Sequence, residues 1–118
     1  MARNTPPIRP KDSLLRYALL VDSDSAGMTN SLIFNDGSIE YFGISIRQNF
    51  QYALIDNVGL GTVRISYNRP GIDMSLPTNG AKTLDAKDAL YIEEEVWGID
   101  IYYETASTVE IILKSDKE

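Results

Sequence analysis

Residues 96–114 read VWGIDIYYETASTVEIILK, and the alternation within them decides the fold class. Trp97, Ile99, Ile101 and Tyr103 alternate with Gly98, Asp100 and Tyr102. A helix would scatter the four apolar residues around its circumference, whereas a strand places them all on one side. Val109, Ile111 and Leu113 repeat the pattern against Thr108, Glu110 and Lys114, and only Ile112 breaks the polar face. Working outward, Val63, Ile65 and Tyr67 alternate with Thr62, Arg64 and Ser66. These are the three firmest strands, each with one face toward a core and one toward water.

Phe50, Tyr52 and Leu54 mark a further strand, and Leu90 with Ile92 a short one. Between Ser38 and Arg47 the apolar phase switches from Ile39 and Tyr41 to Phe42, Ile44 and Ile46, with Gly43 beside the switch. A β-bulge there would re-aim the side chains, and a strand buried on both faces is the alternative. Turn chemistry divides the runs at Asn35-Asp36-Gly37, Asn57-Val58-Gly59, Arg69-Pro70-Gly71 and Asn79-Gly80. Seven or eight short strands without crossover helices predict an all-β antiparallel β-sandwich of jelly-roll-like connectivity, with an immunoglobulin-like order as the alternative.

The chain has 118 residues, of which 43% are hydrophobic and 24% charged, a mixture that supports one folded core. The expected organisation is an extended N-terminal arm over 1–12 and a single β-sandwich domain over 13–118. Pro6, Pro7 and Pro10 remove backbone donors from the arm and bias it toward extended geometry. Charge divides at the same place. Residues 1–16 carry Arg3, Arg9, Lys11 and Arg16 against Asp12, a net +3. The remaining 7 basic and 16 acidic residues give −9, within a whole-chain charge of −6. An acidic body repels a phosphate backbone, so nucleic-acid binding by the folded part is not expected.

Cysteine and histidine are both absent. The usual thiolate and imidazole chemistry, the serine triads and the ordinary zinc sites are thereby excluded. Carboxylates remain, but Glu93-Glu94-Glu95 reads as a solvated loop, and Asp100 and Glu110 occupy polar-face positions with outward exposure. Asp22-Ser23-Asp24-Ser25-Ala26-Gly27 begins like a calcium loop, then fails: Ala26 holds the fifth position and Ile33 the twelfth. Gly59-Leu60-Gly61 has no following lysine or helix and reads as a turn entering a strand. No catalytic, cofactor or metal residues are assigned, and no cofactor is expected.

Trp97 and Tyr103 share a phase with Ile99 and Ile101 and belong to the core. Tyr91 and Tyr102 are off that phase and are the surface candidates, for a sugar or for a subunit interface. No apolar run approaches the ~20 residues of a membrane helix, and Leu14 to Val21 is not followed by a cleavage signature. The expectation is a soluble protein without a signal peptide.

The succession FQYALIDN, GTVRISYNRPG, TLDAKDALYIEE and VWGIDIYYETASTVEIILK, over residues 50–114, resembles small β-sandwich accessory proteins of tailed phages, of the head-decoration, head-fibre and tail-accessory types. The likeness lies in the order: an alternating strand, a Pro/Gly turn, a short ridge, then a paired hairpin closed by Thr105-Ala106-Ser107-Thr108. It implies a non-enzymatic virion protein, made in the bacterial host cytoplasm and often oligomeric. The bottom-up counterpart is an arm, carrying Arg3, Pro6, Pro7, Arg9, Pro10 and Lys11, that docks on a neighbouring subunit. The partners are then other protein subunits: a homo-oligomer, with a capsid or tail protein as a further partner. A carbohydrate-binding module with a glycan partner is the alternative.

Overall fold

The computed structural model describes residues 16–76 and 80–115. The arm residues Arg3, Pro6, Pro7, Arg9, Pro10 and Lys11, and the boundary between 12 and 13, lie outside the described residues, as does Asn79.

Ten strands and no helix occur among the described residues: β1 (Arg16–Ser23), β2 (Thr29–Ile33), β3 (Glu40–Tyr41), β4 (Ile44–Ser45), β5 (Tyr52–Asn57), β6 (Val63–Tyr67), β7 (Lys82–Leu84), β8 (Ala89–Ile92), β9 (Gly98–Tyr103) and β10 (Ser107–Lys114). Eight form two four-stranded antiparallel sheets, ordered β1-β10-β5-β8 and β2-β9-β6-β7, while β3 and β4 pair as a small hairpin. The expected all-β antiparallel sandwich is present.

The core lies between the sheets, where the alternation places it. Val109, Ile111 and Leu113 from one sheet meet Val63, Ile65, Ile99, Ile101 and Tyr103 from the other, all buried. Phe34 and Phe50 extend it, with ring centroids 5.7 Å apart in an edge-to-face arrangement. Burying each such aliphatic side chain contributes about 1.5–3 kcal/mol, so the inward rows dominate stability.

Besides Trp97, which is half-buried, precedes β9 and lies outside the core cluster, four expectations need correction. The strand after Phe50 changes phase: Phe50 is buried and bridges Val96, but Ala53, Ile55 and Asn57, not Tyr52 and Leu54, point inward along β5. The bend at Gln51 separates the bridge from the ladder and shifts the alternation by one. The phase switch near Gly43 is neither a bulge nor a doubly buried strand. It is the tip of the β3–β4 hairpin, where Phe42 (φ 52°) and Gly43 (φ 82°) both adopt the left-handed backbone of a two-residue turn. Residues 97–103 and 109–113 are not a paired hairpin: β9 and β10 lie in opposite sheets. The chain leaves β9 over Thr62, whose carbonyl accepts from the Glu104 and Thr105 amides.

Asp100 supplies the fourth correction, because it is buried, at 3% exposure, rather than solvated. The β6–β7 connection folds back over the outer face of its own sheet. Asp100 accepts from the Gly71 amide (3.1 Å) and the Ser31 hydroxyl (2.8 Å), and Arg64 donates to the Met74 carbonyl (2.6 Å). Met74 of this flap and Ser66 of β6 are both buried. The polar face of β6 and β9 thus carries the anchors of a loop.

Tyr103 is fully buried, and its hydroxyl accepts from the Asn30 amide at 2.8 Å. Desolvation pushes its pKa above the ordinary tyrosine value; the Asn30 bond pulls it back, and the Asp22 charge raises it again. The folded chain therefore holds this proton more tightly than the unfolded chain. The associated stability is complete below about pH 10 and is lost as the pH rises through the folded-state value. Urea midpoints measured from pH 8 to 11.5 are expected to fall above pH 10, and Tyr103→Phe should flatten that fall. An unaltered slope in the variant would remove Tyr103 as its source.

Candidate docking face

The outer face of the β1-β10-β5-β8 sheet departs most from what a solvated strand surface needs. Register aligns Ala18 with Ile112, Ile112 with Leu54, and Leu54 with Tyr91. These side chains alternate with the buried ones, so they share the outward side and form an apolar row across all four strands. Ile112, the break in the polar face, is the centre of that row. Leu20, 69% exposed, extends the apolar surface on β1.

The rows on either side are charged in opposite senses. On one side lie Leu20, Glu110, Asp56 and Ala89, with the two carboxylates directly opposite each other on neighbouring strands. Like charges so placed repel, and the ion pair Arg64–Glu104 lies on the other sheet. On the other side, Lys114 stands 5.4 Å over the Tyr52 ring, and Tyr52 stacks with Tyr91 at 6.0 Å and 10°.

Tyr91 and Tyr102 do not share a surface. Tyr91, 53% exposed, belongs to the row just described. Tyr102 is on the outer face of the opposite sheet, between Thr29 and Arg64, with the guanidinium 5.6 Å from its ring centroid. The structure does not bring these two sequence candidates together.

Two further features mark the exterior. The β3–β4 tip presents Phe42, 89% exposed, and Ile44, with Tyr41 packed edge-to-face on Phe42 at 4.7 Å. A bulky residue at positive φ is strained, by about 1–2 kcal/mol. A cavity of about 330 Å³ lies beside β6, lined by Ile65, Ser66, Tyr67, Arg69, Gly80 and Lys82. Its polar groups are two cations and two hydroxyls. Glu94 and Glu95 have local partners: Glu94 accepts from the Tyr67 hydroxyl, and Glu95 from the Asn49 amide at 2.6 Å. The Glu94 contact raises the Tyr67 pKa above its usual value, and burial raises it further. In the segment resembling a calcium loop, Ser23 closes a local turn on Ser25, and Asp22 belongs to β1.

Fold and face define a class: a two-sheet antiparallel β-sandwich that carries an apolar row, bounded by charge, on the outside of one sheet. No protein-family model matches the chain, and no curated protein matches it either.

Proposed function

We propose that this chain is a non-enzymatic assembly protein of jelly-roll type, acting through protein–protein contacts as an accessory component of a phage virion. The jelly-roll assignment draws on strand order. Among the eight sandwich strands only β6 and β7 are both consecutive and paired; every other step along the chain leads to the opposite sheet. That is the behaviour of interleaved Greek keys, and it differs from an immunoglobulin order, where consecutive strands pair within a sheet.

The observation that carries the assembly role is the apolar row Ala18–Ile112–Leu54–Tyr91 on an outer surface. A contiguous apolar strip bounded by charge is the usual mark of a protein contact. The virion setting draws on the resemblance of residues 50–114 to accessory proteins of tailed phages; the ordering of the alternating strand, turn and ridge supports it, while the closing hairpin does not. The partners are further copies of this chain and a capsid or tail protein, reached also by the basic arm with Arg3, Arg9 and Lys11.

Light scattering on the full chain and on a variant lacking residues 1–12 tests the reading. The full chain is expected to show a mass above the 13.2 kDa of one copy, and the deletion to lower it while leaving the β-type circular dichroism unchanged. A full chain with the mass of one copy at every concentration would refute self-assembly.

A further inference from the structure

We infer that the outer face of the β1-β10-β5-β8 sheet is self-complementary and pairs with the same face of a second copy across a two-fold axis. This rests on the assembly reading above and names the surface and the occupant.

Let the axis lie in the interface, along the apolar row and perpendicular to the strands. Rotation by 180° returns each strand of the second copy over its counterpart and inverts direction along the strand. The apolar row then meets itself: Ile112 on Ile112, Leu54 on Leu54. The flanking rows exchange places. Glu110, two residues before Ile112, faces Lys114 of the second copy, two residues after it. Asp56 likewise faces the Tyr52 ring, over which Lys114 stands. The carboxylate pair that repels within one sheet thus gains a cation from the other, and the symmetry repeats the contact. An axis along the strands would leave each row facing itself, setting Glu110 and Asp56 against the same acidic row.

The footprint sets the strength. β1 and β10, of eight residues, span roughly 26 Å, β5, of six, roughly 20 Å and β8, of four, roughly 13 Å, while the four strands lie side by side over roughly 19 Å. Each copy contributes on the order of 400 Å², about 800 Å² in total, at the small end of the range in which weak, transient contacts fall. The dimer is accordingly weak and concentration-dependent, with a Kd in the micromolar range.

Sedimentation equilibrium of the full chain over a wide concentration range tests it, with four variants. Ile112→Glu is expected to hold the mass at one copy throughout. Glu110→Lys and Lys114→Glu, each placing like charges across the axis, should weaken dimerisation on the order of tenfold or more, and Glu110→Lys combined with Lys114→Glu should return it to within about threefold of the parent. Should Ile112→Glu lose its β spectrum, the charge exchange still decides. Single reversals that leave the parent Kd, or a double variant no better than either single, overturn the two-fold pairing. If mass falls on deleting 1–12 yet ignores all four face variants, the pairing is wrong and assembly through the arm stands. A chain that is monomeric throughout removes both.

Discussion

Asn57→Ala is expected to lower the unfolding free energy by about 3–5 kcal/mol, because Asn57 connects three loops at one end of the sandwich. Its side chain is fully buried. The amide nitrogen donates to the carbonyls of Gly61 (2.9 Å), Leu84 (3.0 Å) and Asp85 (3.1 Å), and the amide oxygen accepts from the Ser107 hydroxyl (2.7 Å). Ser107 in turn accepts from the Gly61 amide. Truncation leaves several of these groups without a partner and without water, and each such group costs about 1–3 kcal/mol. Asn57→Asp keeps the shape but turns the donor into an acceptor facing three carbonyls, so it is expected to be at least as damaging. Urea unfolding of both variants checks this; a loss under about 1 kcal/mol for alanine would mean that water replaces the side chain.

Gly61→Ala is expected to cost about 3 kcal/mol for a steric reason. A Cβ there would lie 2.1 Å from the Ala106 carbonyl oxygen, 2.6 Å from the Thr105 hydroxyl and 2.8 Å from the Ala106 carbonyl carbon. Two of these atoms are backbone and cannot rotate away. The Thr62 and Thr105 contacts that turn the chain from β9 to β10 lie in the same place, so relief would disturb the crossing between sheets. The neighbouring Leu60→Ala is the control: at 86% exposure it should alter stability by no more than about 0.5 kcal/mol. Equal unfolding midpoints for the two variants would show that the loop yields freely.

Asn57 and Gly61 both read in the sequence as turn residues, and only their surroundings distinguish a turn from a buried junction. Asn57-Val58-Gly59 does end a strand, but the asparagine points inward because β5 alternates on odd positions. Nothing in FQYALIDN separates that phase from its opposite, since apolar residues occupy both. The same ambiguity conceals the docking face. Ile112 stands out as a break in a polar alternation, but Leu54 and Ala18 do not, and their alignment with it depends on the register between β1, β10 and β5.

Asp100 shows the converse. Its position between Ile99 and Ile101 correctly marks the outer side of β9, yet the β6–β7 connection covers that side. Polarity in a sequence distinguishes the faces of a strand; it carries no information about what a loop from elsewhere in the chain lays over them.

The amino-acid sequence by itself determined the all-β class, the inward rows of β6, β9 and β10, and the lack of cysteine and histidine chemistry. Each is a local property: alternation follows from the two-residue repeat of a strand, and composition needs no geometry. The tertiary structure alone decided that β9 and β10 part into opposite sheets, that residues near Gly43 form a hairpin tip, and which side chains line up in one row. Those outcomes depend on pairings between strands distant along the chain, whose energies are set by register and packing rather than by any short run of residues.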